Sequence, residues 1–471
     1  MSLDLTPLFE ERSVDPTVSF IRNQNSGHTL FSALLEPIDN ELDSLATFVQ
    51  IFLHKKDNGE TCLVIAGDGV KALAPEEMHL MASEGWSTKN VSTESSPVLG
   101  KNGSGWKNFV SKYSKTGSST VIMKREDDSI HAMEYNQSNM KAIGEWKVTI
   151  RKCHAKIKAD DPALAYWKRF MCDAEGNYYT HGSIVIVHNL KPEAQAYLTR
   201  GLNFNPSAFN HSIGAQLGEV YQKRIDKGLS ILVGKNVDFM EEVKALDPML
   251  SRSAVQSKTF IIDGEEVIAK VFLLPERGEC KGLPADVYFR LVNNQNSGVY
   301  FYRDGRLHLD SKGRPMHPAL GDKAINQYIE ESANGSNGRR KKQVSRDERA
   351  WVAFGDSHGR SSRVRVSIET SSNLDKDFNV NQIKTEIDFT NDSVSELALW
   401  CYDMCHQYDQ YRSKNKSYTY KDKWMSLTKG YRKDVLKVRQ QVLNSLTDPE
   451  EIKVASTIIS MFTENLGEVV E

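Results

Sequence analysis

Glu36, Asn40 and Asp43 stand four and three residues apart, so on a helix they share one face. A carboxylate, a carboxamide and a second carboxylate pointing the same way offer oxygen ligands to a hard cation such as Mg²⁺. A fixed carboxylate beside bound phosphate can also orient a water for attack. The bland alternative is a solvated helix face, since short motifs recur without function. A second stretch, Gly100-Lys101-Asn102-Gly103-Ser104-Gly105-Trp106-Lys107, places three glycines within six positions. Such a loop can turn its N–H groups inward as a nest for anions, with Lys107 adding a mobile positive charge, and a phosphate is the natural guest. Its alternative is a plain flexible turn.

The elements that must position these groups follow from the apolar pattern. Phe31, Leu34, Leu35, Ile38 and Leu42 make a helical stripe opposite the Glu36 face. The run 48–54 reads as a strand, and 62–66 as another that leads straight into Gly67-Asp68-Gly69. Asp68 thereby stands at a strand's carboxyl end, a common place for ligand-facing residues. Pro75-Glu76-Glu77 starts a helix through Met81, and further strands are expected at 119–124, 145–151 and 183–189. The first 210 residues thus predict helices on one face of a mixed sheet, an α/β sandwich.

A helix over 212–227 leads into a second region, where Asp263-Gly264 and Asp304-Gly305 each interrupt alternating runs, the strongest short hairpin signal. With strands at 363–369 and 383–389 this region, 211–390, reads as an α+β domain. The remainder, 391–471, reads as helical. Gly228 to Asn236 is not a phosphate loop of the familiar kind: five residues separate its glycines where four are required, and it ends in Asn.

At 471 residues the chain is longer than one core usually spans, and its 60 Lys and Arg against 62 Asp and Glu leave a net charge of -2. A polyanion partner must therefore be met by a local patch. Two candidates exist. Arg339-Arg340-Lys341-Lys342 lies in the polar stretch 332–348, whose alternative reading is a solvated insertion. Between Tyr411 and Gln440 ten Lys or Arg, among them Lys421, Lys423, Arg432 and Lys433, face two Asp, with five aromatics interleaved. Basic groups attract phosphates and aromatics stack on bases, so this segment is a candidate DNA surface; its alternative is an exposed helix pair whose aromatics pack inward. No apolar run reaches membrane-spanning length and the first residues do not read as a secretory signal, which predicts an intracellular protein with no membrane partner. The six cysteines show no paired C-x-x-C spacing that would suggest zinc.

Taken in order, the helix Glu36-Pro-Ile-Asp39-Asn40-Glu-Leu-Asp43, Asp68 at a strand end and the loop Gly100-x-x-Gly103-x-Gly105-x-Lys107 resemble the nucleotide site shared by gyrase, the heat-shock chaperone of that fold, histidine kinases and MutL, the GHKL ATPases. Within that group the chain looks most like MORC proteins. Pro75 to Met81, Gly85-Trp86-Ser87, the strand from Gly182-Ser183 to Asn189, Gly298 to Leu307 and Phe378 to Lys384 extend the resemblance over about residues 30–390.

The resemblance implies a Bergerat-type ATPase domain, a transducer-like domain, the cofactors ATP and Mg²⁺, and a homodimer that closes on nucleotide and acts on DNA. It makes Glu36 the general base and Asn40 the Mg²⁺ ligand, and has Lys384 reach the γ-phosphate from the second domain. It gathers Asn40, Asp43, Asp68, Gly69, Ser183 and the loop Gly100, Lys101, Asn102, Gly103, Ser104, Gly105, Trp106 and Lys107 around the nucleotide, with Asp68 on the adenine amine. These roles agree with what phosphoryl transfer requires: a positioned water, a metal and positive charge. The chain departs from the family where D-x-G-x-G becomes Asp68-Gly69-Val70-Lys71-Ala72, which puts a Cβ where glycines are expected. Two other readings stand beside the ATPase: a degenerate, non-hydrolysing scaffold for protein contacts, and a chaperone-like clamp on protein clients.

Overall fold

The computed structural model describes residues 9–13, 28–71, 73, 75–82, 105–126, 129–143, 147–154, 162–172, 176–274, 287–288, 298–309, 315–316, 363–380, 387–401 and 404. Its first layer begins with β1 (Phe9–Ser13) and α1 (Leu30–Asp43), then the antiparallel pair β2 (Phe48–Lys55) and β3 (Thr61–Gly67). A short helix α2 (Pro75–Met78) and α3 (Gly105–Tyr113) precede β4 (Ser118–Lys124) and β5 (Ser129–Asn136). There follow α4 (Gln137–Ile143), β6 (Lys147–His154), α5 (Pro162–Phe170), β7 (Gly182–Val187), α6 (Pro192–Gly201), α7 (Ile213–Val220), α8 (Gln222–Ile225), β8 (Ser230–Asn236) and β9 (Phe239–Glu242).

The nine strands form one sheet in the order β1-β6-β5-β4-β7-β3-β2-β8-β9, with β2 and β8 parallel and the other pairs antiparallel. Its last two strands come from beyond residue 210. Alternation along β3 divides its side chains between two cores. Leu63 and Ile65 join α1, α3, α6 and α7, whereas Cys62, Val64 and Ala66 meet Ala163, Leu164, Trp167 and Phe170 of α5. The sheet therefore carries helices on both faces. The expectation of one covered face is corrected by α5, whose apolar side gives the second face its own core.

The second sheet is built from β10 (Gln256–Ile262), β11 (Glu265–Leu273), β12 (Gly298–Arg303), β13 (Arg306–His308) and β14 (Val364–Thr370), in the order β10-β11-β14-β12-β13. Asp263 and Gly264 have φ of 46° and 81°, and Asp304 and Gly305 have φ of 51° and 79°. Positive φ at both central positions is what a two-residue turn needs to match the strand twist. Phe260, Val267, Val271, Phe301, Val366 and Ile368 pack with Phe378, Phe389 and Leu397 on one face of this sheet.

The hairpin of β12 and β13 meets the end of the first layer. Arg224 of α8 donates to the Asp304 carbonyl, and Lys223 pairs with Glu369 at 2.8 Å while standing 3.9 Å above the Tyr302 ring. No helix among the described residues is long and apolar enough to cross a membrane.

Candidate functional site

Thr29 caps α1 by accepting from Ser32 N at 3.0 Å, while Ser32 Oγ accepts from Thr29 N at 2.9 Å, a reciprocal box that fixes where the helix starts. Pro37 sits inside the helix and has no N–H for the Ala33 carbonyl, so the backbone ladder lacks one rung a single residue after Glu36. The helix is enclosed nearly all round. Glu36 and Asp43 are 7% and 5% exposed, and Asn40 is half-buried. The shared face expected from the 36, 40, 43 spacing is thus covered, not solvated.

What covers it can be named. A Cβ at Gly105, the first residue of α3, would stand 2.1 Å from Glu36 Oε2. The start of α3, with N–H groups that have no partner inside the helix, therefore adjoins the Glu36 carboxylate. At the other end of α1, a Cβ at Gly67 would come within 2.5 Å of Glu41 Oε2, and one at Gly69 within 2.7 Å of Ser44 Cβ. Ser183 Oγ donates to Glu41 Oε1. Glu41, which the helical spacing of the other three did not single out, is thus the carboxylate that faces the glycines around Asp68. Only knowledge of which strand end meets α1 could have revealed it.

Asp68 is held by the segment after α1. Its Oδ1 accepts from Thr47 N and Phe48 N at 2.8 Å each, and its Oδ2 from Thr47 Oγ1 at 2.6 Å. Its carboxylate is fixed in position with acceptor capacity left on Oδ2. Val70, at a glycine position of the D-x-G-x-G pattern, is 44% exposed, its N–H donates to the Ser44 carbonyl at 2.8 Å, and its φ is not positive. The valine side chain therefore costs no room at that point.

Two residues expected at the ligand have other partners. Trp106 is 5% exposed and stacks at a tilt on Tyr135, with ring centroids 4.9 Å apart, so its ring belongs to the core under α3. Lys107 is 1% exposed, with Nζ 3.4 Å from the Met81 carbonyl. That ammonium is enclosed beneath α3, not extended as a mobile charge. Lys384, Gly100, Lys101, Asn102, Gly103, Ser104, Arg339, Arg340, Lys341, Lys342, Lys421, Lys423, Arg432 and Lys433 lie outside the described residues, as does Ala72.

A cation from the second sheet reaches the same helix. Arg306 Nε lies 2.9 Å from Asp39 Oδ1, and both side chains are under 5% exposed. Tyr221 Oη donates to the same Asp39 oxygen at 2.8 Å, and Arg306 Nη1 stands 3.2 Å from His308 Nε2. Burial works against the Arg306 charge, but facing Asp39, then Tyr221 and Glu36, outweighs it and holds the pKa above its ordinary value. Burial, then Asp39, pushes the Tyr221 hydroxyl well up, so it stays a donor. The sequence singled out the Asp304-Gly305 turn but not the arginine that follows it.

The chemical capacity of the site lies in this grouping. Glu36, Asn40 and Asp43 suit an oxygen-coordinated cation, and the start of α3 beside Glu36 suits phosphate. These donor types are the kind taken by the phosphate end of a magnesium nucleotide. At the far end Glu41 adds a carboxylate beside Asp68.

No protein-family model matches the chain, and no curated protein matches it. Among solved structures it is similar to the B-subunit of the DNA gyrase from Myxococcus xanthus, at 9% identity and a TM-score of 0.37, over 82% of this chain and 90% of that one. It is also similar to the N-terminal domain of a DNA repair protein, at 13% identity and a TM-score of 0.36, over 81% and 95% of the two chains. Likenesses this slight carry no functional weight.

Proposed function

We propose that the chain is an ATP-dependent clamp of GHKL type, most like MORC proteins, that hydrolyses ATP with Mg²⁺, dimerises on nucleotide and acts on DNA. The observation that carries this reading is the approach of Glu36 Oε2 to Gly105, which joins a buried carboxylate to the first turn of the helix that follows the glycine loop. Helix N-termini hold phosphate, and a carboxylate fixed beside one can orient and deprotonate a water.

Bound Mg²⁺ would neutralise charge on the phosphates as the terminal one leaves. Everything else falls to the chain's own groups. Glu36 accepts the proton of the attacking water, Asn40 offers its side-chain oxygen to the cation, and Asp68, fixed by Thr47 and Phe48, accepts from a base. The Arg306–Asp39 pair ties the turn of α1 that carries Glu36 to the second sheet, which gives a route for coupling hydrolysis to movement between the two units.

Glu36→Gln keeps the shape of the side chain and removes its basicity. Steady-state turnover is expected to fall by a factor of about 100 or more, with Mg²⁺-dependent ATP binding by calorimetry retained. Unchanged turnover would exclude Glu36 as the base.

A specific observation favours a second reading. Glu41 pressed against Gly67 and Gly69, and the enclosure of Lys107, suit a non-hydrolysing scaffold used for protein contacts. That scaffold shows no heat of Mg²⁺-ATP binding in the wild-type chain, so the same calorimetry separates the two.

A further inference from the structure

A second group of chemistry-bearing side chains lies at the opposite end of β3 from Asp68, on the sheet face that α5 covers. The antiparallel register that sets Leu63 against Val187 carries on to set Cys62 against His188. Cys62 Sγ and His188 Nδ1 are 3.4 Å apart. Glu60, two residues before Cys62 and so on the same side of an extended chain, brings its carboxylate to the pair, and the three donor atoms all lie within 4.8 Å of one another.

The surroundings hold these donors in place. His188 Nε2 is 2.8 Å from Thr120 Oγ1 on β4. Glu60 Oε1 accepts from Asn189 N at 2.8 Å, and Asn189 has a φ of 50°, the left-handed bend that turns this N–H back. Glu60 Oε2 pairs with Lys56 Nζ at 3.0 Å. Cys62 is fully buried, while Glu60, Lys56 and His188 are half-buried, so the group opens to solvent on one side.

We propose that Glu60, Cys62 and His188 form a zinc-binding site, with water in the fourth position. Bond lengths of about 2.3 Å to sulfur and about 2.0–2.1 Å to nitrogen at a tetrahedral angle place those two atoms about 3.5 Å apart. The Cys62–His188 separation of 3.4 Å already matches that edge. Sulfur, nitrogen and oxygen donors together suit a borderline-soft ion such as Zn²⁺ better than Mg²⁺ or Ca²⁺. Three protein ligands and one open position is also the pattern of sites that keep an exchangeable water.

On binding, the zinc–sulfur bond replaces the Cys62 S–H bond and the proton leaves to solvent. His188 gives its Nδ1 lone pair while Nε2–H donates to Thr120, the kind of outer contact that orients a ligating imidazole. Glu60 turns one oxygen to the ion, and the Lys56 ammonium, on its flexible stem, yields that place.

The test uses the full chain, stripped with chelator and titrated with Co²⁺ followed by Zn²⁺. A thiolate-to-cobalt charge-transfer band that saturates at one ion per chain and is bleached by Zn²⁺ is expected. Cys62→Ser should abolish the band and Cys172→Ser, the control thiol, should keep it. No band in the wild type, or a band that survives in Cys62→Ser, would overturn the proposal. Should Cys62→Ser fail to fold, Glu60→Gln provides the second measurement. At least a tenfold loss of Zn²⁺ affinity supports the site, and unaltered affinity removes it.

Discussion

The Asp39–Arg306 pair makes a quantitative test of how the second sheet grips α1. Both side chains are under 5% exposed and 2.9 Å apart, so Arg306→Met takes the Arg306 charge from a buried carboxylate. Removing one partner of a buried pair costs about 3–5 kcal/mol. The hydrogen bond from Tyr221 at 2.8 Å, which the variant keeps, holds the loss toward the lower end, about 3 kcal/mol. In a unit of about 200 residues each kcal/mol lowers the melting temperature by about 2–4 °C, so a drop of about 6–12 °C is expected by scanning calorimetry. Asp39→Leu should fall at least as far, since it strands the guanidinium. The double variant Asp39→Leu/Arg306→Met removes both charges together and should recover most of the loss, because a buried pair and an apolar pair differ little in stability. ATP turnover in that double variant should stay depressed even as its melting temperature returns. A melting temperature within about 2 °C of wild type in Arg306→Met, or losses that simply add in the double variant, would show that the two side chains are not coupled.

Three further outcomes follow from the geometry. Gly105→Ala puts a methyl group 2.1 Å from Glu36 Oε2, the mobile end of a side chain, so turnover should fall at least tenfold with a melting temperature shift of only a few degrees; unchanged turnover would contradict it. Gly182→Ala combines a φ of 136° with a Cβ 2.2 Å from the Gly67 backbone oxygen, which cannot move aside, and should cost about 2–4 kcal/mol in thermal unfolding; a loss below about 1 kcal/mol would show that the strand end relaxes. Burial lowers His188 from 6.5 to about 4, so the unfolded chain binds the extra proton first as pH falls. Its contribution to stability is complete above pH about 6.5 and declines toward pH about 4 by about 2 kcal/mol after allowance for its partial exposure; His188→Gln should flatten that part of the stability profile in the metal-free chain.

Much of this arrangement was legible in the sequence where local chemistry decides it. The Asp-Gly pairs at 263–264 and 304–305 demand positive φ, and only a tight hairpin supplies it at both positions. The stripe of Leu34, Leu35, Ile38 and Leu42 specified α1, and the β-branched run into Gly67 specified β3. What escaped depends on pairing across long separations. β1, the segment FEERS, has no alternating apolar pattern and is ordered by its register with β6. The surroundings of Glu36 depend on Gly105 of α3 and on Arg306 of a hairpin more than 250 residues away, which no helical wheel contains. Cys62 and His188 become neighbours only through the register of β3 and β7, so a search for closely spaced cysteines passes them by.

Pro37 bears on how α1 can respond to what grips it. The missing N–H removes one restoring force between the turn fixed by Thr29 and Ser32 and the turn held through Asp39. The rod is therefore most compliant at one joint, and Glu36 rides immediately beside it. A pull from the distant arginine would tilt the downstream half, which carries Asn40, Glu41 and Asp43, and leave the capped half with Glu36 in place, changing the spacing between the two sets of oxygens.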